Sequence, residues 1–98
     1  MKYNVLGIEH RCGSFTATSG KDAGKEISYD FYRLHCIKKS REIIGGVAVV
    51  PVRCSVDLFG QLVAECGGKP EDILNRKIDF EVKDYHGTET LKDFEVIE

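Results

Sequence analysis

Residues 47–68, VAVVPVRCSVDLFGQLVAECGG, run from one kind of secondary structure into another without a linker, and their order decides the fold. Val50, Val52, Cys54 and Val56 recur at every second position with Arg53 and Ser55 between them. That alternation predicts a strand over Val47–Val56 with one apolar face. Pro51 has no N–H to give to a ladder and argues for an edge or a bulge. From Asp57 the spacing becomes helical: Leu58, Leu62 and Val63 form a stripe, Asp57 is expected to cap it, and Gly67-Gly68 stops it after Cys66.

Working outward, the downstream half adds two strands. Ile78, Phe80 and Val82 alternate with Asp79, Glu81 and Lys83, apolar inward and charged outward. Asp84-Tyr85-His86-Gly87 reads as a hairpin turn, and Leu91–Ile97 as the last strand with Phe94 and Val96 facing in. Between helix and strand, Pro70 to Leu74 is expected to form one further turn.

Upstream, Lys2 to Thr18 has strand character, interrupted at Gly7 and Gly13 where bulges or sharp bends are expected. Ser19 to Gly24 is a turn by composition. Lys25 to Lys39 reads as a long second strand, and Ser40 to Gly46 as a connector in which Lys38-Lys39-Ser40-Arg41 is expected to be solvated. The chain therefore reads as an all-β single domain over residues 1–98, three strands, a short helix, then two strands. This is the layout of a five-stranded OB-fold-like barrel with a short helix between strands 3 and 4 and an extended β-hairpin arm. An SH3-like barrel is the alternative.

The second strand poses a problem of phase. Ile27, Tyr29 and Phe31 occupy odd positions, whereas Tyr32, Leu34 and Cys36 occupy even ones. A regular strand cannot turn both sets to one side. Either a bulge sits near Phe31, or the outer rings leave the core.

Composition narrows the function classes. Charged residues make up 31% of the chain and no apolar run approaches the roughly 18 residues of a membrane span, so a cytoplasmic protein is expected. Residues 1–53 carry nine bases against five acids, a balance of +4, and residues 54–98 a balance of −6. Such a split permits a basic surface on a protein of net charge −2. Cys12, Cys36, Cys54 and Cys66 lack metal-site spacing and are expected to be reduced; neither metal nor cofactor is expected. No nucleophile with its base, carboxylate pair or phosphate loop stands out, which points away from an enzyme.

What remains is a basic, aromatic, β-rich arm. Single-stranded nucleic acid is held by bases stacking on rings while cations track the phosphates. Tyr29, Phe31 and His35 share a face with Ile27 and Arg33 if the strand is regular, and Lys21 and Lys25 sit at the hairpin tip.

The pieces "SFTATSGKDAGK", "LHC", "VVPVRCSVDLF" and "DYHGTETLKDFEV" together resemble the small single-stranded DNA-binding (helix-destabilising) proteins of filamentous phages and related mobile elements. The resemblance implies a dimeric OB-type barrel that coats single-stranded DNA during replication, with a DNA-binding wing at Thr16–Phe31. It implies contacts from Lys21, Lys25, Ile27, Tyr29 and His35, from Arg53 on the third strand, and from Tyr85 or His86 at the last hairpin. The expected partner is single-stranded DNA or RNA, with a homodimer and no membrane. The competing expectation is a protein-interaction module whose aromatic arm docks on a partner or second subunit.

Overall fold

The computed structural model describes residues 2–21, 23–38 and 44–97. Its strands are β1 (Lys2–Thr16), β2 (Glu26–Lys38), β3 (Ala48–Cys54), β4 (Lys77–Tyr85) and β5 (Thr88–Val96), with helix α1 (Val56–Cys66) and a 3₁₀ turn (Pro70–Ile73) between β3 and β4. The strands close into one barrel-like sheet in the order β1-β2-β3-β5-β4. All neighbours are antiparallel except β3 and β5, which run parallel through two residue pairs, Val52 with Glu89 and Arg53 with Thr90.

The core fills with the inward residues of each strand: Tyr3 and Val5, Leu34 and Cys36, Val52 and Cys54, Ile78 and Phe80, and Leu91. Helix α1 covers one end of this core with Phe59, Leu62 and Cys66, spaced three and four apart as one helical face requires. Leu58 and Val63 flank that face and are half-buried, so the stripe lies one position round from the expected one. The cap is also different from the expected Asp57. Ser55 holds extended backbone angles and its Oγ accepts from the Leu58 N–H at 3.2 Å, leaving Asp57 in the first turn, where its charge suits the positive end of the helix. At the other end the Gly67 and Gly68 N–H groups both donate to the Val63 carbonyl, and Arg76 Nη2 donates to the Cys66 carbonyl at 2.8 Å.

One register shift lies in β1 between Val5 and Gly7, as expected there, and another opposite Glu81 and Val82. Gly13 makes no bulge; it pairs in step with Tyr29. From Arg11–Thr16 and Phe31–Glu26 onward, β1 and β2 pair with each other alone, forming a two-stranded arm about 20 Å long. Its loop is closed by Ala17 and Gly24 N–H groups on the Lys25 and Ala17 carbonyls, with Gly20 and Gly24 at φ 81° and 84°.

Lys38 is not in a solvated loop. Its Nζ donates to Glu89 Oε1 at 3.1 Å and to Tyr3 Oη at 3.3 Å, while the Tyr3 hydroxyl donates to Glu89 at 2.7 Å, tying β1, β2 and β5 together at one end of the sheet. Burial and the Glu89 hydrogen bond push the Tyr3 hydroxyl well above its ordinary range. Lys39, Ser40 and Arg41 of the run expected to be solvated, with 42–43 of the connector, lie outside the described residues.

Candidate nucleic-acid interface

The β1–β2 pairing settles the phase problem. No register shift occurs near Phe31, so β2 continues as a regular strand and its odd and even sets face opposite ways. Tyr32, Leu34 and Cys36 turn toward the sheet interior, whereas Ile27, Tyr29, Phe31, Arg33 and His35 lie on the outer face. Beyond Tyr32 there is no barrel interior to fill. The inward parity of the arm accordingly becomes small and polar: Cys12, Ser14 and Thr16 on β1, Asp30, Ser28 and Glu26 on β2.

On the outer face, ring centroids of Phe15 and Tyr29 lie 6.3 Å apart and those of Tyr29 and Phe31 6.1 Å apart, forming a ladder of three rings. Gly13 faces Tyr29 across the pair, and a Cβ there would meet the Tyr29 hydroxyl at 2.9 Å. The missing side chain lets the tyrosine lie down over the neighbouring strand instead of standing upright. His35 lies in the same manner over Gly7, within 3.7 Å of where its Cβ would stand.

Cations close the inner end of the ladder. Arg53 Cζ sits 4.0 Å from the Phe31 centroid and Arg33 Cζ sits 5.9 Å from it. Arg33 and Arg53 are directly opposite each other on β2 and β3, a juxtaposition of like charges that is unfavourable without an anion nearby. Arg53 makes no ion pair among the described residues. Arg33 approaches Glu9 Oε1 at 3.8 Å.

An open groove of about 510 Å³ runs along this face, lined by Arg11, Phe15, Ile27, Ser28, Tyr29, Phe31, Arg33 and Arg53. Two smaller depressions adjoin it through the arginines. One of about 290 Å³ lies between Arg33, Arg53, Val50 and Pro51 on one side and Gly87, Thr88 and Glu89 on the other. The other, about 210 Å³, is lined by Arg53, Lys83, Tyr85, Thr90 and Lys92. Tyr85 is 63% exposed, with His86 edge-on to it at 4.9 Å.

Of the residues expected from sequence, Ile27, Tyr29, Phe31, Arg33 and Arg53 therefore line one groove, and Tyr85 lines its extension. His35 lies on the same face next to Glu9; His86 occupies the β4–β5 turn at φ 52°. Lys21 and Lys25 are exposed near the arm's tip and do not line the groove. Arg11, Phe15, Lys83 and Lys92 join the surface without having been expected there. Arg11 and Phe15 carried a signal in their parity with Gly13, but only the register with β2 shows which face that parity takes.

The acidic half of the sequence gathers elsewhere. Asp79 faces Glu95 and Glu81 faces Asp93 across β4 and β5, lining a separate depression of about 190 Å³. Among the described residues no group of histidine, cysteine or carboxylate side chains is arranged to hold a metal ion, and no helix is long and apolar enough to cross a membrane. The groove offers stacking surfaces, guanidinium groups and hydroxyls. Compared with protein-family models, curated proteins and solved structures, the chain matches none.

Proposed function

We propose that this chain is a non-catalytic, OB-fold-type protein that binds single-stranded nucleic acid along the outer face of its β1–β2 arm without regard to sequence. The observation that carries the reading is the ladder Phe15–Tyr29–Phe31, spaced 6.1–6.3 Å, with Arg53 and Arg33 over its inner end. Successive bases of an extended strand stack on such rings at about 1–3 kcal/mol each, while arginines neutralise phosphates. The strand order, with a helix between β3 and β4, supports the OB-type assignment. The resemblance to phage helix-destabilising proteins supplies the setting: coating of single-stranded DNA in the cytoplasm during replication of a phage or mobile element, by a dimer.

Fluorescence anisotropy of a labelled oligo-dT across a salt series tests this directly. The expected result is binding at low salt that weakens linearly on a log–log plot. No binding at low salt, or an affinity indifferent to salt, rejects it.

A second reading rests on a separate observation. Val47 and Val49 are 42% and 73% exposed beside a fully exposed Ile44, an apolar strip suited to a protein partner or a second subunit. Sedimentation of Val49→Asp distinguishes the two uses: loss of self-association with oligo-dT affinity per chain unchanged assigns the strip to subunit contact.

A further inference from the structure

On the outer face the Glu9 carboxylate sits within a cluster of cations. Glu9 lies opposite Arg33 in the β1–β2 register. Its Oε1 accepts from His35 Nε2 at 3.2 Å and stands 3.8 Å from Arg33 Nη1, and its Oε2 accepts from Arg11 Nη1 at 3.2 Å. Two hydrogen-bond donors and the Arg33 guanidinium, from two strands, thus converge on the two oxygens of a single anion. The hydrogen bond from His35 above all, with Arg11 and Arg33 adding to it, holds the Glu9 carboxyl below its ordinary range despite some desolvation.

A phosphodiester offers the same features as that carboxylate: two equivalent oxygens, one negative charge and acceptors only. Arg11 and Arg33 also line the groove beside Phe31, so the place is contiguous with the ring ladder. The geometry points to Arg11, Arg33 and His35 forming a phosphate seat that Glu9 occupies in the free protein, so that a nucleic-acid phosphate must displace the glutamate to enter. This rests on the nucleic-acid reading above and adds to it a competing internal ligand. Glu9 thereby lowers affinity, and the free protein keeps Arg11 and Arg33 paired and less prone to hold other polyanions.

The seat has a control close by. Asp30 on β2 is also a carboxylate, but it lies on the opposite face, where it pairs with His10 at 2.6 Å. Replacing it removes the same formal charge without touching the seat. The experiment measures oligo-dT binding by anisotropy at several salt concentrations for the wild type, Glu9→Gln, Asp30→Asn, Arg11→Gln and the double variant Glu9→Gln/Arg11→Gln, with thermal melts confirming folding.

Glu9→Gln is expected to bind roughly fivefold tighter, because the cations it frees no longer have to break surface ion pairs. Its log–log salt slope steepens by less than about 0.7, the increment for a whole phosphate on a single strand, because in the wild type the displaced carboxylate takes back part of the released counterion charge. Asp30→Asn gives a smaller gain and an unchanged slope, and the Glu9→Gln gain shrinks when Arg11 is also replaced. Equal gains from Glu9→Gln and Asp30→Asn, or an unmoved slope in a wild type that does bind, overturn the seat and leave the nucleic-acid reading standing. A wild type that does not bind at any salt overturns both. Should Glu9→Gln fail to fold, the Arg11→Gln variant decides: a loss of affinity greater than twofold with a shallower salt slope supports Arg11 as part of the seat, and a loss below twofold contradicts it.

Discussion

Phe31 and Tyr32 are neighbours in the chain, yet their rings belong to two different assemblies. Phe31 ends an outward ladder with Tyr29 and Phe15 and carries Arg53 on its face. Tyr32 sits at the middle of an inward stack, 3.7 Å from Phe59 of α1 and 4.5 Å from His10, with interplanar angles of 6° and 13°. The inward rings join the helix to the root of the arm and act on stability. The outward rings stack on one another and under Arg33 and Arg53 of the same sheet. Aromatic density alone therefore does not distinguish core from display; the parity of each ring against a barrel that ends at Tyr32 does.

The contrast can be broken or sharpened by experiment, beginning with the largest effect. Burial pushes the Cys36 and Cys54 thiols up to about 12, and the Cys66 thiol up as well, whereas Cys12 is exposed on the arm. In the native state a thiol-specific reagent should modify Cys12 alone in a fast phase, with the buried Cys36, Cys54 and Cys66 reacting only as the body opens. Fast reaction of two or more thiols contradicts a closed body.

Next comes the inward stack. Phe59→Ala removes a ring that is 6% exposed and should cost about 3 kcal/mol in denaturant unfolding. An effect under about 1 kcal/mol means that the stack holds nothing together. Phe31→Ala should do the reverse, lowering oligo-dT affinity by about 1–3 kcal/mol while changing unfolding by less than about 1 kcal/mol. Unfolding of the Phe31→Ala protein returns that ring to the core.

The smallest effect concerns acid. The folded pKa of Glu9 lies below its ordinary value, so its contribution to stability is complete at neutral pH and is lost as pH falls from the ordinary carboxylate range through the lowered folded value. Wild type should therefore lose slightly more stability than Glu9→Gln between neutral and strongly acidic pH. Parallel acid limbs for the two proteins rule out the contribution. The carboxylate is exposed enough that the difference is slight.

Much of this was legible in the sequence, for identifiable reasons. Ile78, Phe80 and Val82 alternate without interruption, and β4 follows directly. The helix between β3 and β4 follows from the change of period at Asp57, but its first residues were harder: Val56, in phase with the strand, opens the helix, and Ser55 and Asp57 are both capping residues two positions apart. Tyr29, Phe31 and Arg33 could be put on one face by parity alone. Arg11 and Phe15 could not, because their side is fixed by pairing with Phe31 and Ile27 some twelve to twenty residues away. Glu9 was hidden for the same reason: its partners Arg33 and His35 are remote in sequence, and a glutamate on a strand otherwise reads as ordinary surface.

The two parallel rungs between β3 and β5 carry a further consequence. A closed sheet comes apart first where it is least bonded, and this seam has two residue pairs where β1 and β2 share twelve. The weakest seam of the sheet therefore lies at Val52–Arg53 and Glu89–Thr90. Arg53 stands on one lip, and Thr90, with Lys83 and Tyr85, on the other. A polymer lying across that depression would act as a clasp, converting affinity for its backbone into slower opening of the protein that holds it.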